Sequence, residues 1–233
     1  MYRRKNKNAR RKGQQMNIEV MIPVVTPSVA DRLLESIESN TILPVVHIID
    51  NTSEGLYAPS SGKFEIIRHR SPFGNTGVNK AWNWAKDEFF RIADVGCFLN
   101  DDIVLNKYYF ENLVERFKHQ RSIMALVPAV QTESPAVLKH TRTGKLEKLI
   151  KRQGCCFALR KTLLDKLPSI PKDLKTFYGD NFWLEHSKRL GHHWYIDQGN
   201  HIYHEVGVAV KALDLREELG KEKMVFIDAM KRA

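Results

Sequence analysis

Val95-Gly96-Cys97-Phe98-Leu99-Asn100-Asp101-Asp102 decides how this chain is read: an apolar run of strand length stops dead at three polar residues. Continuous apolar runs of this length suit a strand buried on both faces, the kind found in parallel sheets covered by helices. Upstream the pattern repeats. Asn17–Thr26 (NIEVMIPVVT) reads as a first strand, and Ser28 as the N-cap of a helix over DRLLESIES, with Leu33, Leu34 and Ile37 at helical spacing. Val45–Asp50 is a second apolar strand ending in the polar turn Asn51–Gly55. Phe64–Ile67 is a third, followed by the loop Ser71–Gly77 and an aromatic-rich helix over Val78–Ile92. Strands joined by helical crossovers predict an α/β fold, one domain with a mainly parallel sheet sandwiched by helices and with ligands gathered where strands end. Asp50 and Asp101-Asp102 are expected to meet there.

Downstream, Tyr108–His119 reads as helix, Ile123–Gln131 as strand and Lys139–Arg152 as a basic loop or linking segment. Gly154–Leu159 is a further strand, Lys161–Leu167 a helix, and residues 168–171 a Pro-bounded loop. A helix near Asn181–Leu190 has Gly191 as its natural C-cap. Trp194–Ile196 and His201–His204 are expected as two short final strands, and Leu213–Lys231 as a charged helix. The organisation is thus a basic arm (1–16), one domain (17–210) and a C-terminal charged helix (211–233).

The 233 residues are 42% hydrophobic and 27% charged, a balance that excludes disorder, collagen and coiled coil for most of the chain. Cys97, Cys155 and Cys156 form no C-x-x-C, and adjacent cysteines bridge only with strain, so a reducing, cytoplasmic setting is expected. No apolar run has the length of a membrane helix or a signal-peptide core, so neither is expected.

The net charge of +10 is unevenly placed. Residues 1–16 hold Arg3, Arg4, Lys5, Lys7, Arg10, Arg11 and Lys12 with no acid, and almost nothing apolar to offset the entropy of ordering them. A second basic stretch, residues 139–175, carries eleven Lys/Arg against Glu147, Asp165 and Asp173. Two basic zones on an otherwise acidic body suggest a polyanionic partner, DNA among the candidates, and solvated charge is the alternative reading.

Oxygen ligands at a strand terminus suit a hard, partly hydrated divalent cation that also binds phosphate, meaning Mn²⁺ or Mg²⁺. An isolated Asn-Asp-Asp reads equally as an Asx-turn or helix cap. Asp50 likewise reads as a turn cap, Asn75 and Asn83 as loop and helix-surface residues, and Asp180 as the N-cap of the helix after it. Neither a Walker A loop nor G-x-S-x-G is present, and the His192-His193 and His201-x-x-His204 spacings lack the partners of a structural zinc site.

Taken in order, the motifs resemble the GT-A fold glycosyltransferases, a Rossmann-like class, most closely the family 2 type, over about Ile18 to Gly207. IIDNTSEG (48–55) is similar to that family's turn after its second strand. NTGVNKAWNWA (75–85) is similar to its N-x-G…N-x-G/A helix start, and Leu99–Asp102 falls where it has its D-x-D metal motif. GCCFALRK (154–161), FYGDNFWLEHSKRLG (177–191) and IYHEVG (202–207) match its acceptor-side strand, its catalytic carboxylate segment and its closing H…G.

The resemblance implies a nucleoside-diphosphate-sugar donor, a UDP-sugar favoured, bound by Asp50, Asn51, Asn75, Gly77, Asn83, Asn100 and Asp101 in a donor half spanning 17–105. It implies Asp102 as metal ligand with His204 assisting, and Asp180 as catalytic base in an acceptor-side half spanning 106–210, with Glu185 in reserve. Family 2 members are typically inverting. Asn100 replaces the motif's first acid, and Asn181 replaces a second acid beside Asp180. On the basic acceptor side, a polyanionic acceptor such as DNA carrying a hydroxylated base is one expectation, and a lipid-linked, saccharide or protein acceptor the other. A nucleotidyltransferase and a non-catalytic nucleic-acid-binding protein are the alternatives. The first lacks its Gly-rich phosphate loop in VVTPSVADR, and the second leaves Asp50, Asp102 and Asp180 unexplained.

Overall fold

The computed structural model describes residues 16–52, 57–59, 63–70, 77–135, 138, 144–150, 154–205 and 215–232. Within them the strands are β1 (Ile18–Val24), β2 (Val45–Asp50), β3 (Ile66–Arg70), β4 (Val95–Leu99), β5 (Ile103–Leu105), β6 (Ala125–Gln131), β7 (Leu146–Lys148), β8 (Cys156–Arg160) and β9 (Trp194–His204). The helices are α1 (Pro27–Glu38), α2 (Val78–Trp84), α3 (Tyr109–His119), α4 (Lys161–Leu164), α5 (Gly179–Arg189) and α6 (Arg216–Arg232).

One nine-stranded sheet runs β3-β2-β1-β4-β8-β6-β9-β5, with β7 paired to β9 off that path. It is mixed. β3, β2, β1 and β4 are parallel; β8 then enters antiparallel to both β4 and β6, β9 lies parallel to β6, and β5 and β7 pair antiparallel with β9. Every residue of β1 and β4 is buried, which is why neither shows polar alternation. One face packs on α1 and α3 through Leu33, Leu34, Ile37, Phe110, Leu113 and Phe117; the other carries Trp82, Phe98, Phe157, Trp183 and Trp194. Leu33 is fully buried, and its truncation to Ala costs about 2–5 kcal/mol.

Several expectations shift. Helix α1 begins after Thr26 rather than Ser28, because Pro27 sits where its missing N–H is no loss. The third strand is displaced to Ile66–Arg70. Helix α2 ends in a π-turn over Ala85–Phe89, closed by Phe90 N–H donating to Ala85 O at 3.0 Å. The extra residue lets Phe90 pack flat over Gly96, whose missing Cβ leaves the room, while Phe89 stacks on His69 with ring centroids 3.8 Å apart. The basic segment 139–152 contains a strand, β7, alongside residues outside those described. The two final short strands are one, β9, whose pairing with β6 jumps from Asp197 to His201 and leaves Gln198–Asn200 as a bulge. Asp197 anchors that bulge by accepting from Arg116 at 2.9 and 3.0 Å and from Gly199 N–H at 2.9 Å.

A chain of polar groups, buried at Glu19 and His47 and half-buried at His69, crosses the parallel strands on the α2 side. Glu19 Oε2 lies 3.6 Å from His47 Nε2, and His47 Nδ1 lies 3.0 Å from His69 Nε2. Burial, reinforced by His47, lowers the His69 pKa to about 4.

Candidate active site

The carboxyl ends of β2, β1 and β4 are tied side by side. Asn51 N–H donates to Val24 O at 2.9 Å, and Val25 and Thr26 N–H donate to Asp101 Oδ2 at 2.8 and 2.9 Å. Asp101 therefore caps the entry to α1. Burial, with Asp102 adding, outweighs these donors and raises its pKa to about 6. Asn100 N–H donates to Cys155 O at 2.9 Å, so the opening of the β8 segment lies against the turn.

Asp102 is brought to His204 by strand pairing: β5 runs antiparallel to the end of β9 with Ile103 opposite His204, and Glu205 N–H donates to Asp102 O at 3.0 Å. Arg32 of α1 pairs with Glu205 and fixes this corner. His204 Nε2 lies 3.3 Å from Asp102 Oδ1. Burial pulls the His204 pKa down, but Asp102 and Cys155 outweigh it and raise it to about 10. Asp102 Oδ1 and Asn100 Oδ1 are buried and have no hydrogen-bond donor among the described residues.

This donor set fits a divalent cation. An anionic oxygen without a donor faces an imidazole that would yield its proton to the metal, and a neutral buried oxygen stands two residues back. Among the described residues no three His, Cys, Asp or Glu converge, and a cation held here would draw its further ligands from substrate and water.

Asp50 is differently employed. Its side chain is fully buried; Oδ1 accepts from Thr52 N–H at 3.1 Å and Thr52 Oγ1 at 2.6 Å, and Oδ2 accepts from Tyr57 N–H at 2.9 Å and Arg68 at 3.0 Å. Burial raises its pKa, but Thr52, Arg68 and Tyr57 together bring it below the usual carboxylate value. Asp50 thus organises the strand-end turn, with Asn51 buried beside it.

Gly77, at φ 78°, opens α2 against Lys175 O, where any Cβ would collide. Asn83 is committed elsewhere: its Nδ2 donates to Ile170 O at 2.9 Å and its Oδ1 accepts from Ile170 N–H at 2.8 Å. Asn75 lies outside the described residues, as do Ser53–Gly55 and Val206-Gly207.

Asp180 lies in the first turn of α5 rather than at its N-cap, a position held by Tyr178 at φ 62°. It is buried and packs on Gly154, where a Cβ would stand 2.7 Å from Asp180 Oδ2. Gly154 precedes Cys155, which borders both Asn100 and His204, so the β8 segment bridges the Asp102 and Asp180 sides. Glu185 pairs with Lys188 at 2.7 Å on a partly exposed helix face.

Three residues were missed. Asn79 is fully buried where α2 meets the loop before α5, donating through Nδ2 to Leu174 O at 3.2 Å and Phe177 O at 2.8 Å. The sequence did hold a signal, since Asn79-Lys80-Ala81 and Asn83-Trp84-Ala85 both fit N-x-A one turn apart. Gly154 was visible only as the first residue of the expected strand 154–159 and of GCCFALRK, whereas the strand itself starts at Cys156. Glu222 of α6, 1% exposed, accepts from the backbone of Thr176 and Phe177, a contact no local pattern announces.

A mixed sheet whose carboxyl-end crevice is flanked by an acidic turn and a closing histidine defines the GT-A class of fold, and comparison with solved structures shows the same. GalNAc-T7, crystallised with UDP, GalNAc and Mn²⁺, superposes with a TM-score of 0.63 at 13% identity over 82% of this chain and 43% of its own. S. aureus TarS, residues 1–349, gives 0.61 at 13% identity over 82% of this chain and 61% of its own. TarS 1–349 in complex with UDP-GlcNAc gives 0.61 at 14% identity over 81% and 58%. The chain therefore spans between about two fifths and three fifths of the length of these structures. No protein-family model and no curated protein matches the chain. Among the described residues no helix is long and apolar enough to cross a membrane.

Proposed function

We propose that the chain is a metal-dependent glycosyltransferase that moves a sugar from a UDP-sugar to an acceptor hydroxyl with inversion. The observation that carries this reading is Asp102, a buried carboxylate oxygen with no donor, 3.3 Å from His204 at the carboxyl-end crevice of a GT-A sheet. UDP with Mn²⁺ in GalNAc-T7 and UDP-GlcNAc in TarS support the donor class and the metal. A mixed set of Asp oxygen, His nitrogen and Asn oxygen suits Mn²⁺ better than Mg²⁺, which favours oxygen throughout.

In the proposed reaction the acceptor oxygen forms a bond to the anomeric carbon on the face opposite the diphosphate. The bond from that carbon to the β-phosphate oxygen breaks, UDP departs, and the acceptor proton passes to Asp180. When bound, the cation supplies Lewis acidity that stabilises the charge growing on the diphosphate. Asp102 and His204 would hold it, with Asn100 Oδ1 beside them. Asp50 shapes the turn that meets the base, Asp101 fixes the start of α1 beside the ribose, and Gly77 with Asn51 lets backbone approach the nucleotide. Residues 17–105 make the donor half and residues 106–210 the acceptor half.

The acceptor is proposed to be polyanionic. Lys145, 79% exposed, and the exposed Lys148, Lys172 and Lys175 lie in the acceptor-side half, where the charge of residues 139–175 concentrates. Binding of labelled DNA and of polyphosphate should fall steeply as salt rises from 50 to 200 mM; no retention at low salt removes this acceptor class and leaves the donor chemistry standing. Donor turnover is tested by UDP release from UDP-GlcNAc and UDP-GalNAc. Release that needs Mn²⁺ and is lost in Asp102→Ala supports the reading, and equal release by Asp102→Ala defeats it.

A further inference from the structure

The segment Leu174–Phe177, immediately before Tyr178 and Asp180, is gripped from two sides. Helix α2 takes its carbonyls: Asn79 N–H donates to Lys175 O at 2.9 Å, and Asn79 Nδ2 donates to Leu174 O and Phe177 O. Helix α6 takes its amides: Thr176 N–H donates to Glu222 Oε1 at 3.0 Å, and Phe177 N–H donates to Glu222 Oε2 at 2.8 Å. The fit against α2 is tight. A Cβ at Gly77 would strike Lys175 O, and one at Gly179 would strike Asn79 Oδ1.

Next in the chain is Tyr178, whose φ of 62° makes it the one non-glycine residue with positive φ among those described. That left-handed conformation is strained for a tyrosine and persists only where the surroundings over-determine it. Its ring stacks on Phe226 of α6 at 5.4 Å between centroids, and Arg189 at the far end of α5 donates to Met230 O at 3.0 Å. Helix α6 therefore touches α5 and its approach through Glu222, Phe226 and Met230, and of these Glu222 is the buried charge.

A carboxylate taken fully out of water is retained only where it is paired or hydrogen-bonded. Here it spends both oxygens on two consecutive amides that no helix or strand satisfies. We propose that Glu222 is a positioning residue for Asp180. By holding the amides of Thr176 and Phe177 while Asn79 holds the flanking carbonyls, it sets the turn at Tyr178 and so the placement of the Asp180 carboxylate against Gly154. The C-terminal helix is then part of the catalytic unit, coupling the acceptor-side carboxylate to α2 on the donor side. This rests on the reading of Asp180 as the base.

The test uses the full chain with Glu222→Gln, which replaces one acceptor oxygen by a donor facing backbone N–H, and Glu222→Asp, which keeps the charge and withdraws it by one methylene. Amide exchange followed by NMR is expected to show faster exchange at Thr176 and Phe177 in Glu222→Gln, spreading to Phe182, whose N–H donates to Tyr178 O at 2.9 Å in the first turn of α5. Loss of protection confined to 176–177 overturns the proposal. With UDP-GlcNAc and Mn²⁺, and water as acceptor, Glu222→Gln should lower kcat about tenfold or more with KM and UDP affinity within about twofold, as a displaced catalytic group does. Glu222→Asp should lose less.

Glu222→Gln should add nothing in an Asp180→Asn background, since a residue acting through Asp180 has nothing left to position. Additive losses overturn the proposal, and so does wild-type turnover by Glu222→Gln where Asp180→Asn is inactive. Wild-type turnover by Asp180→Asn instead removes the assignment of the base, and the positioning role with it. Should Glu222→Gln not fold, Glu222→Asp is read by the same exchange pattern and the same cycle.

Discussion

The two halves of the sheet are built on different principles. In β3-β2-β1-β4 the strands are parallel, the inner three are buried, and the polar residues of interest stand where an apolar run ends: Asp50 after Val45–Ile49, and Asn100-Asp101-Asp102 after Val95–Leu99. In β8-β6-β9-β5 the pairing is mostly antiparallel, and the site residues are delivered by distant segments. His204 reaches Asp102 across the β5–β9 pair, and Asp180 is held through Gly154, Asn79 and Glu222. The parallel half places chemistry by local sequence; the antiparallel half places it by tertiary contact.

The comparison is broken most sharply at the two carboxylates. Asp102→Ala is expected to lower donor turnover by about 10²–10³ or more, as loss of a main electrostatic stabiliser does. It should also lower stability near neutral pH, because it removes the carboxylate that faces His204 and helps raise its pKa to about 10. Steady-state kinetics beside a urea melt check both parts. Gly154→Ala places a methyl 2.7 Å from Asp180 Oδ2 and should cost about tenfold to a hundredfold in kcat, with UDP affinity retained. Equal losses in kcat and UDP affinity would show that the halves are not separable in this way.

Smaller effects sharpen the division. Asn83→Ala removes the reciprocal pair with Ile170 and should destabilise by about 1–3 kcal/mol while leaving UDP affinity unchanged. Isothermal titration decides whether Asn83 belongs to the donor site or to the joint. The His47–His69 pair gives the parallel half an acid sensitivity. The His69 pKa is lowered to about 4 from 6.5, so between those values the unfolded chain binds the proton that the folded chain refuses. Stability from this group is present above pH 6.5 and is lost as pH falls through that window toward 4. After allowance for the ring's partial exposure this amounts to about 1–2 kcal/mol. His69→Gln should flatten the dependence of the urea midpoint between pH 7 and 4.5.

This division also explains what was legible in the sequence. The parallel half could be read because a buried strand is a run of apolar residues and its end is visible as the first polar one. Asp50, Asn51, Asp101 and Asp102 stand at strand ends where that reading puts them. Their separate duties could not be read: Asp50 and Asp101 spend their oxygens on backbone and side-chain donors, whereas Asp102 does not. In the other half, β9 looked like two strands because the Gln198–Asn200 bulge interrupts the apolar pattern without interrupting the pairing. That Asn79 and Asn83, one turn apart, both turn toward residues 170–177 is a matter of packing between elements about ninety residues apart. Glu222 was legible only as one more acid on a charged helix.

The central claim is that the carboxyl-end crevice binds a nucleoside diphosphate together with a metal through Asp102. It is tested most directly by the melting temperature of the chain with UDP, GDP, CDP or TDP, each with and without Mn²⁺, because a ligand that binds only the folded state raises that temperature. The expected result is a rise with UDP that requires Mn²⁺ and disappears in Asp102→Ala. A folded protein that shifts with none of the four, or an Asp102→Ala variant that shifts as far as the wild type, would contradict the account.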